Sequence, residues 1–304
     1  MTEASIQIAR ESTMSGMIWK RFRKHPGAIA GSIVLSLIIL ACAFAFLSPY
    51  DPIKSDMAER YQPPSWSHPM GTDALGRDLM TRVLYGGRVS LAVGFSVMII
   101  TLLIGVPVGA IAGYFGGRID NILMRITDAA LALPSLLVLI LLSAVLREVD
   151  APFLKSNPVL TIAGVIGLLA WMFTARIVRA SYLTIREMDF VTATRALGAN
   201  NMRIIAIHIF PNAIGPVIVE ATLEVAYAIL EESGLSYLGF GIQPPTPSWG
   251  NLLSNAQDYL VKYPWLAIFP GLMIFLSVIS INYIGDGLRD AFDPHKVLEK
   301  MGEV

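Results

Sequence analysis

Residues 89–114 read VSLAVGFSVMIITLLIGVPVGAIAGY and hold no charged side chain. A bilayer hydrocarbon core of about 30 Å needs roughly 20 apolar residues of helix to cross it, so this run is long enough. Backbone N–H and C=O groups in lipid must find partners within the segment, which makes such a run helical. Working outward, five further runs qualify. Residues 27–47 and 265–284 are also free of charge, 129–146 and 159–175 are shorter but extended by their flanks, and 209–230 carries Glu220 and Glu224.

The expected fold class is therefore an all-α membrane protein with six transmembrane helices, at 27–47, 89–114, 123–146, 159–180, 209–232 and 265–285. Composition agrees. Charged residues make up 15% of the 304-residue chain, against about 25% in soluble proteins, and mean hydropathy is +0.60. Pro107, Pro134, Pro216 and Pro270 fall inside these runs, and each predicts a kink whose freed carbonyl is satisfied by a neighbouring helix. A formal net charge of zero gives no sign of a nucleic-acid partner. The single cysteine, Cys42, excludes an internal disulfide framework and a cysteine-based metal site. Its setting, Ile39-Leu40-Ala41-Cys42, resembles a lipoprotein cleavage site. It lies deep in a long apolar run behind a polar leader, which reads as an uncleaved anchor helix.

Lysine and arginine set the orientation. With the N-terminus inside, fifteen of the 23 fall in residues 1–26, 115–125, 176–208 and the segment after 285. The bias predicts an N-in, C-in topology. Residues 1–26 are then a cytoplasmic segment, in which Ile18, Trp19 and Phe22 interleave with Lys20, Arg21, Arg23 and Lys24. From Ile6 to Lys24 this suits an interfacial helix on the inner leaflet. Residues 48–88 form an outer loop, made irregular by Pro49, Pro52, Pro63 and Pro64, in which Asp73, Arg77 and Asp78 make a small charge network. A tight inner turn is expected at Gly116–Asp120. The second long outer loop, 233–264, is too rich in proline and glycine for a long helix and reads as a re-entrant or capping loop, with Trp249 and Trp265 near the interface. Residues 286–304 form a cytoplasmic tail.

The longest polar connection on the inner side is 181–208. Its core, residues 189–212, reads DFVTATRALGANNMRIIAIHIFPN. Phe190, Ala193, Ala196 and Leu197 share one face of a short helix. Gly198 can end that helix with a positive φ. A second short helix from Asn201 to Ile207 then runs to Pro211, which starts the fifth span. Small Ala193 and Ala196 permit close approach of another protein, and Arg195 gives it a charged rim.

This spacing of Ala193, Gly198 and Pro211 resembles the EAA loop of bacterial ABC importer permeases, to which the cytoplasmic ATPase binds. The usual acidic place is occupied by Thr192. That is similar to the peptide-transporter branch, as are Arg195-Ala196-Leu197-Gly198-Ala199 and His208-Ile209-Phe210-Pro211-Asn212. Residues 71–78 (GTDALGRD), 85–91 (YGGRVSL), 237–250 (YLGFGIQPPTPSWG) and 285–294 (GDGLRDAFDP) match the same branch. The likeness runs from Trp19 to Pro294 and is to the C-type permease of dipeptide/oligopeptide ABC importers. It implies a heterodimer with a sister B-type permease, two cytoplasmic ATPase subunits and an extracytoplasmic solute-binding protein, in a bacterial or archaeal cytoplasmic (inner) membrane. The ATPase-coupling residues would be Phe190, Thr192, Ala193, Arg195, Ala196, Leu197, Gly198, Ala199, His208 and Pro211. No Gly-Lys dipeptide occurs, so the chain has no phosphate-cradling loop. No cofactor is expected on this chain; ATP and magnesium belong to the partner ATPases.

Glu220 and Glu224 lie four residues apart on one face of the fifth span. A carboxylate in the membrane costs about 2.5–3.5 kcal/mol on insertion scales, so both should face a polar cavity or a partner. Two readings stand. They line the translocation path and meet the cationic end of a peptide, or they pair with an arginine of the sister permease or are protonated and hydrogen-bonded. Asp128, beside Arg125, reads as a solvated or paired end residue, and His208 as a packing residue. Similar permeases import nickel chelates, glutathione or oligosaccharides, so cargo stays open. A self-sufficient secondary transporter predicts inverted repeats, which the sequence does not show. An intramembrane enzyme would need paired catalytic groups or histidines near the two glutamates.

Overall fold

The computed structural model describes residues 14–293. Every regular element among them is helical, apart from one isolated antiparallel bridge between Thr72 and Asp78. The part of the expected interfacial helix before Met14, and the tail from Pro294 on, lie outside the described residues.

Helix α1 (Met14–Phe22) leads into α2 (Pro26–Ala43), whose start is fixed by chemistry at its first turn. Pro26 needs no N–H partner there, and His25 Nδ1 accepts the Ala28 N–H at 3.0 Å. Then follow α3 (Leu79–Phe115), α4 (Gly117–Leu131), α5 (Ser135–Glu148), α6 (Pro152–Ser156) and α7 (Pro158–Ile185). After α8 (Asp189–Ala196) comes α9 (Asn201–Tyr237), which contains a π-helical turn at Ile204–Ile209; α10 (Trp249–Ala256) and α11 (Trp265–Phe292) complete the order.

Five helices are long and apolar enough to cross a membrane: Pro26–Leu47, α3, α7, α9 and α11. The expected third span, 123–146, is not one helix. It is the pair α4 and α5, bent by 83° at the break. Pro134 was expected to kink a continuous helix. Instead it caps α5, because it cannot donate an N–H and disfavours helical backbone at Leu133.

The second span also departs from its expected start at residue 89: α3 begins ten residues earlier, at Leu79. Arg88, which bounds the apolar run, is exposed with its guanidinium over the Tyr85 ring, 5.5 Å from its centre, and does not end the helix. Asp78 caps α3 by accepting the Thr81 N–H at 2.7 Å. Arg82, almost wholly buried, donates to Pro52 O at 3.1 Å and lies 3.5 Å from Asp73. The expected network of Asp73, Arg77 and Asp78 is therefore divided. Asp73 pairs with Arg77 at 2.8 Å and with Arg82, while Asp78 takes His68 at 2.9 Å, whose other ring nitrogen meets Glu59.

Around α3 the bundle is close-packed. Against α7 it presents Gly105, Gly109 and Gly113. A Cβ on Gly105 would lie 2.7 Å from Trp171 O, and one on Gly113 2.7 Å from Arg179 O; the Gly109 position is closer still to Ala175 O. Four-residue steps on both helices let the two backbones touch, the small-residue mode of helix packing in membranes. Asp120 of α4 is then held by Arg179 of α7 at 2.5 and 2.6 Å.

At the far end of the bundle, the 233–264 segment folds inward. Ser248 and Asn251 form a capping box for α10. Trp249, expected near the interface, is instead fully buried against α3 and donates its indole N–H to Val83 O at 2.9 Å. Nearby, Glu232 is fully buried and accepts from Ser90 at 2.8 Å and Ser236 at 2.6 Å. Trp249→Phe keeps most of the apolar volume but removes the indole bond to Val83 O, which retains its helical partner, so the loss is about 0.5–1.5 kcal/mol. The expected outcome is a lower thermal midpoint of the purified complex; an unchanged midpoint would show that the indole bond does not hold α10 in place.

Candidate functional site

At one end of the bundle, α8 and the first turns of α9 make a helical hairpin. It is anchored by Val191, which is fully buried in a cluster with Tyr182, Ile185, Ile204, Ile205 and Ile209. The turn after α8 is a Schellman motif: Gly198 N–H reaches Arg195 O at 3.0 Å and Ala199 N–H reaches Thr194 O at 3.3 Å, with Gly198 at φ +84°. Asn200 then caps α9 by accepting the Arg203 N–H at 2.8 Å. Pro211 lacks the N–H that an α-helical register would send to Ile207. The turn before it is π-helical, with Phe210 N–H on Ile205 O.

The face named from the sequence is the free one. Phe190, Thr192, Ala193, Arg195, Ala196, Leu197 and Gly198 are all exposed, Leu197 to 89%, whereas Ala199 and His208 are half-buried. Val191, the inward anchor, had been passed over because a single apolar residue shows no period. Two side chains tie the hairpin to the bundle. Tyr114, at the end of α3, donates to Asn201 Oδ1 at 2.8 Å and lies under the Arg195 guanidinium, 5.9 Å from its ring centre. Tyr182 of α7 donates to Ile205 O at 3.1 Å. Arg186 meanwhile caps α3, donating to Gly113 O at 2.9 Å. The Tyr114 and Tyr182 bonds join the hairpin to α3 and α7.

The second feature is a cavity of about 700 Å³ between the α4–α5 break, α7 and α9. Glu220 and Glu224 both face it, and so do Tyr227 and Glu231. The spacing of these four residues places them on one helix face. Glu231 was missed because the apolar reading closed the run at residue 230, although the period continues through it. Asp128 pairs with Arg176 of α7 at 2.5 Å, not with Arg125, and Arg176 lines the cavity. No hydrogen bond or ion pair joins Glu220, Glu224 or Glu231 to another described side chain. The docking hairpin and the cavity are separate places, joined through α7 and α9.

Residues 105–297 match the family described as binding-protein-dependent transport system inner membrane component, and residues 13–64 match the N-terminal TM domain of oligopeptide transport permease C. The di/tripeptide transport system permease protein DppC of Pseudomonas aeruginosa (strain UCBPP-PA14) is 41% identical over 283 residues, covering 91% of this chain and 90% of that protein. The oligopeptide transport system permease protein OppC of Bacillus subtilis (strain 168) is 41% identical over 288 residues, covering 93% and 92%. Among solved structures, a chain of the MetNI methionine ABC transporter in an inward-facing conformation superposes with a TM-score of 0.58 at 20% identity, over 71% of this chain and 98% of that one; this likeness concerns the fold.

Proposed function

Because the chain belongs to the family of binding-protein-dependent transport system inner membrane components, we propose that it is a permease subunit of an ATP-driven importer of dipeptides and oligopeptides. It is a transport component, not an enzyme. Its partners are a sister permease, with which it encloses the path, two cytoplasmic ATPases and a solute-binding protein that delivers cargo from the other side of the membrane. ATP and its magnesium are bound by the ATPases. The α8 end faces the cytoplasm, a placement that the lysine and arginine bias supports.

The observation that carries this reading is the hairpin. A short helix held by one buried valine offers a protruding apolar tip, Leu197 and Phe190, to a partner. Tyr182 ties it to α7, which lines the cavity, and Tyr114 ties it to α3, which packs along α7. Closure of the ATPases would move α8, and α7 and α9 would follow, changing access to the cavity. Such coupling requires that the hairpin and the bundle have two arrangements, whose balance the ATPases bias.

Inverted membrane vesicles are unsuited to an importer, so the test uses proteoliposomes with the binding protein outside and ATP inside. The full complex is expected to accumulate a radiolabelled tripeptide only with ATP, and omission of either the ATPases or the binding protein should abolish uptake. Uptake by this chain alone, without ATP, would overturn the proposal.

A further inference from the structure

We propose that the cavity in front of α9 is a cation subsite, which receives the side-chain ammonium of a lysine-bearing peptide in transit, with Glu224 as its central ligand. The inference rests on the peptide reading above and names the part of the peptide that is recognised. Glu224 is only 5% exposed, points into the cavity, and has no hydrogen-bonding or ionic partner among the described residues. A carboxylate withdrawn from water without a partner is costly, and is retained where a ligand supplies the missing charge. Glu220 stands one turn from it on one side, and Glu231 two turns away on the other. Tyr227, exposed between them, offers an aromatic face and a hydroxyl.

The basic residue lining the same space does not cancel this charge. Arg176 is already committed to Asp128 at 2.5 Å, so the two neutralise each other at the cavity wall. Glu220, Glu224 and Glu231 are then the acidic groups of the cavity without a fixed cation among the described residues. The volume, about 700 Å³, lies within the roughly 300–1,000 Å³ range of small-molecule sites, enough for a short peptide. Walls of this chain surround the acids on three sides, from α4 and α5, from α7, and from α9 itself. Carboxylates spaced along one helix face give a cation successive stations, each weak enough to leave, which translocation needs.

The test measures uptake of lysylalanine and aspartylalanine by proteoliposomes of the whole complex, wild type against Glu220→Gln, Glu224→Gln and Glu231→Gln. The binding protein is the same in every case, so the wild-type-to-variant ratio for each peptide isolates the cavity. Loss of a charge partner predicts that Glu224→Gln lowers lysylalanine uptake about tenfold and aspartylalanine uptake less than about twofold. Equal ratios for the two peptides in all three variants would overturn the subsite while leaving peptide import intact. A wild-type complex that moves no peptide would sink both readings together. If Glu224→Gln no longer assembles, the other two variants decide. Charge-dependent loss in them sustains the proposal, and unchanged ratios assign Glu224 to a cation of a neighbouring subunit.

Discussion

A complex carrying Leu197→Asp is expected to retain its membrane subunits and lose its ATPases. Leu197 is 89% exposed at the tip of the hairpin, so nothing in the fold of this chain depends on it. In an interface it would be a central apolar anchor. Removing a buried leucine costs about 1.5–3 kcal/mol of transfer free energy, and an unpaired carboxylate in a desolvated contact adds several more. The combined loss weakens docking by at least about a hundredfold. The measurement is co-purification of the ATPases with a tagged permease pair, together with ATP-driven uptake; both should fall to background. Normal ATPase recovery would mean that the protruding face of α8 meets something else. Gly198→Val, next in the chain, acts differently. Its φ of +84° is strained for a β-branched residue, but a Cβ there meets no atom within 4 Å. The cost is about 1–2 kcal/mol of backbone strain, which tilts the turn without removing the anchor, so transport should fall by less than in Leu197→Asp.

What the sequence made legible was whatever local physics decides. Lipid excludes charge, so the uncharged runs announced α2, α3 and α11. A positive φ at a helix end calls for glycine, so Gly198 marked the end of α8 from its neighbours alone. Illegible features depend on partners far along the chain. Arg88 bounded the apparent span, and nothing local showed that Arg82, earlier in the same helix, would be received by Pro52 O and Asp73. Trp249 carries a polar N–H, and only the fold reveals Val83 O as its acceptor. At Pro134, a kink and a break look alike in sequence, and the structure has the break, a bend of 83°. For the glutamates the signal was present. Glu231 continues the period of Glu220 and Glu224, and an apolar boundary drawn at residue 230 hid it.

Gly109→Val is expected to prevent the subunit from folding at all. On α3, Gly109 faces the backbone of Ala175 on α7 more closely than its neighbours Gly105 and Gly113 face Trp171 O and Arg179 O. Overpacking a core usually costs about 1–3 kcal/mol because side chains move aside. Here the opposing atom is a carbonyl oxygen inside a helix, which cannot rotate away, so the two helices must separate. Separation would also strip the Arg179–Asp120 pair and the Arg186 cap from α3, since both belong to the same α7 surface. The total then exceeds the roughly 4–5 kcal/mol that marks exceptional single substitutions. Gly164→Val is the control, because it lies on α7 as well, yet a Cβ there meets nothing within 4 Å. Fluorescence-detected size-exclusion of tagged variants should show a monodisperse complex for Gly164→Val and aggregate or no protein for Gly109→Val. Equal peaks would mean that α3 and α7 are free to separate, and the rigid path from α8 to the cavity would then be lost with their contact.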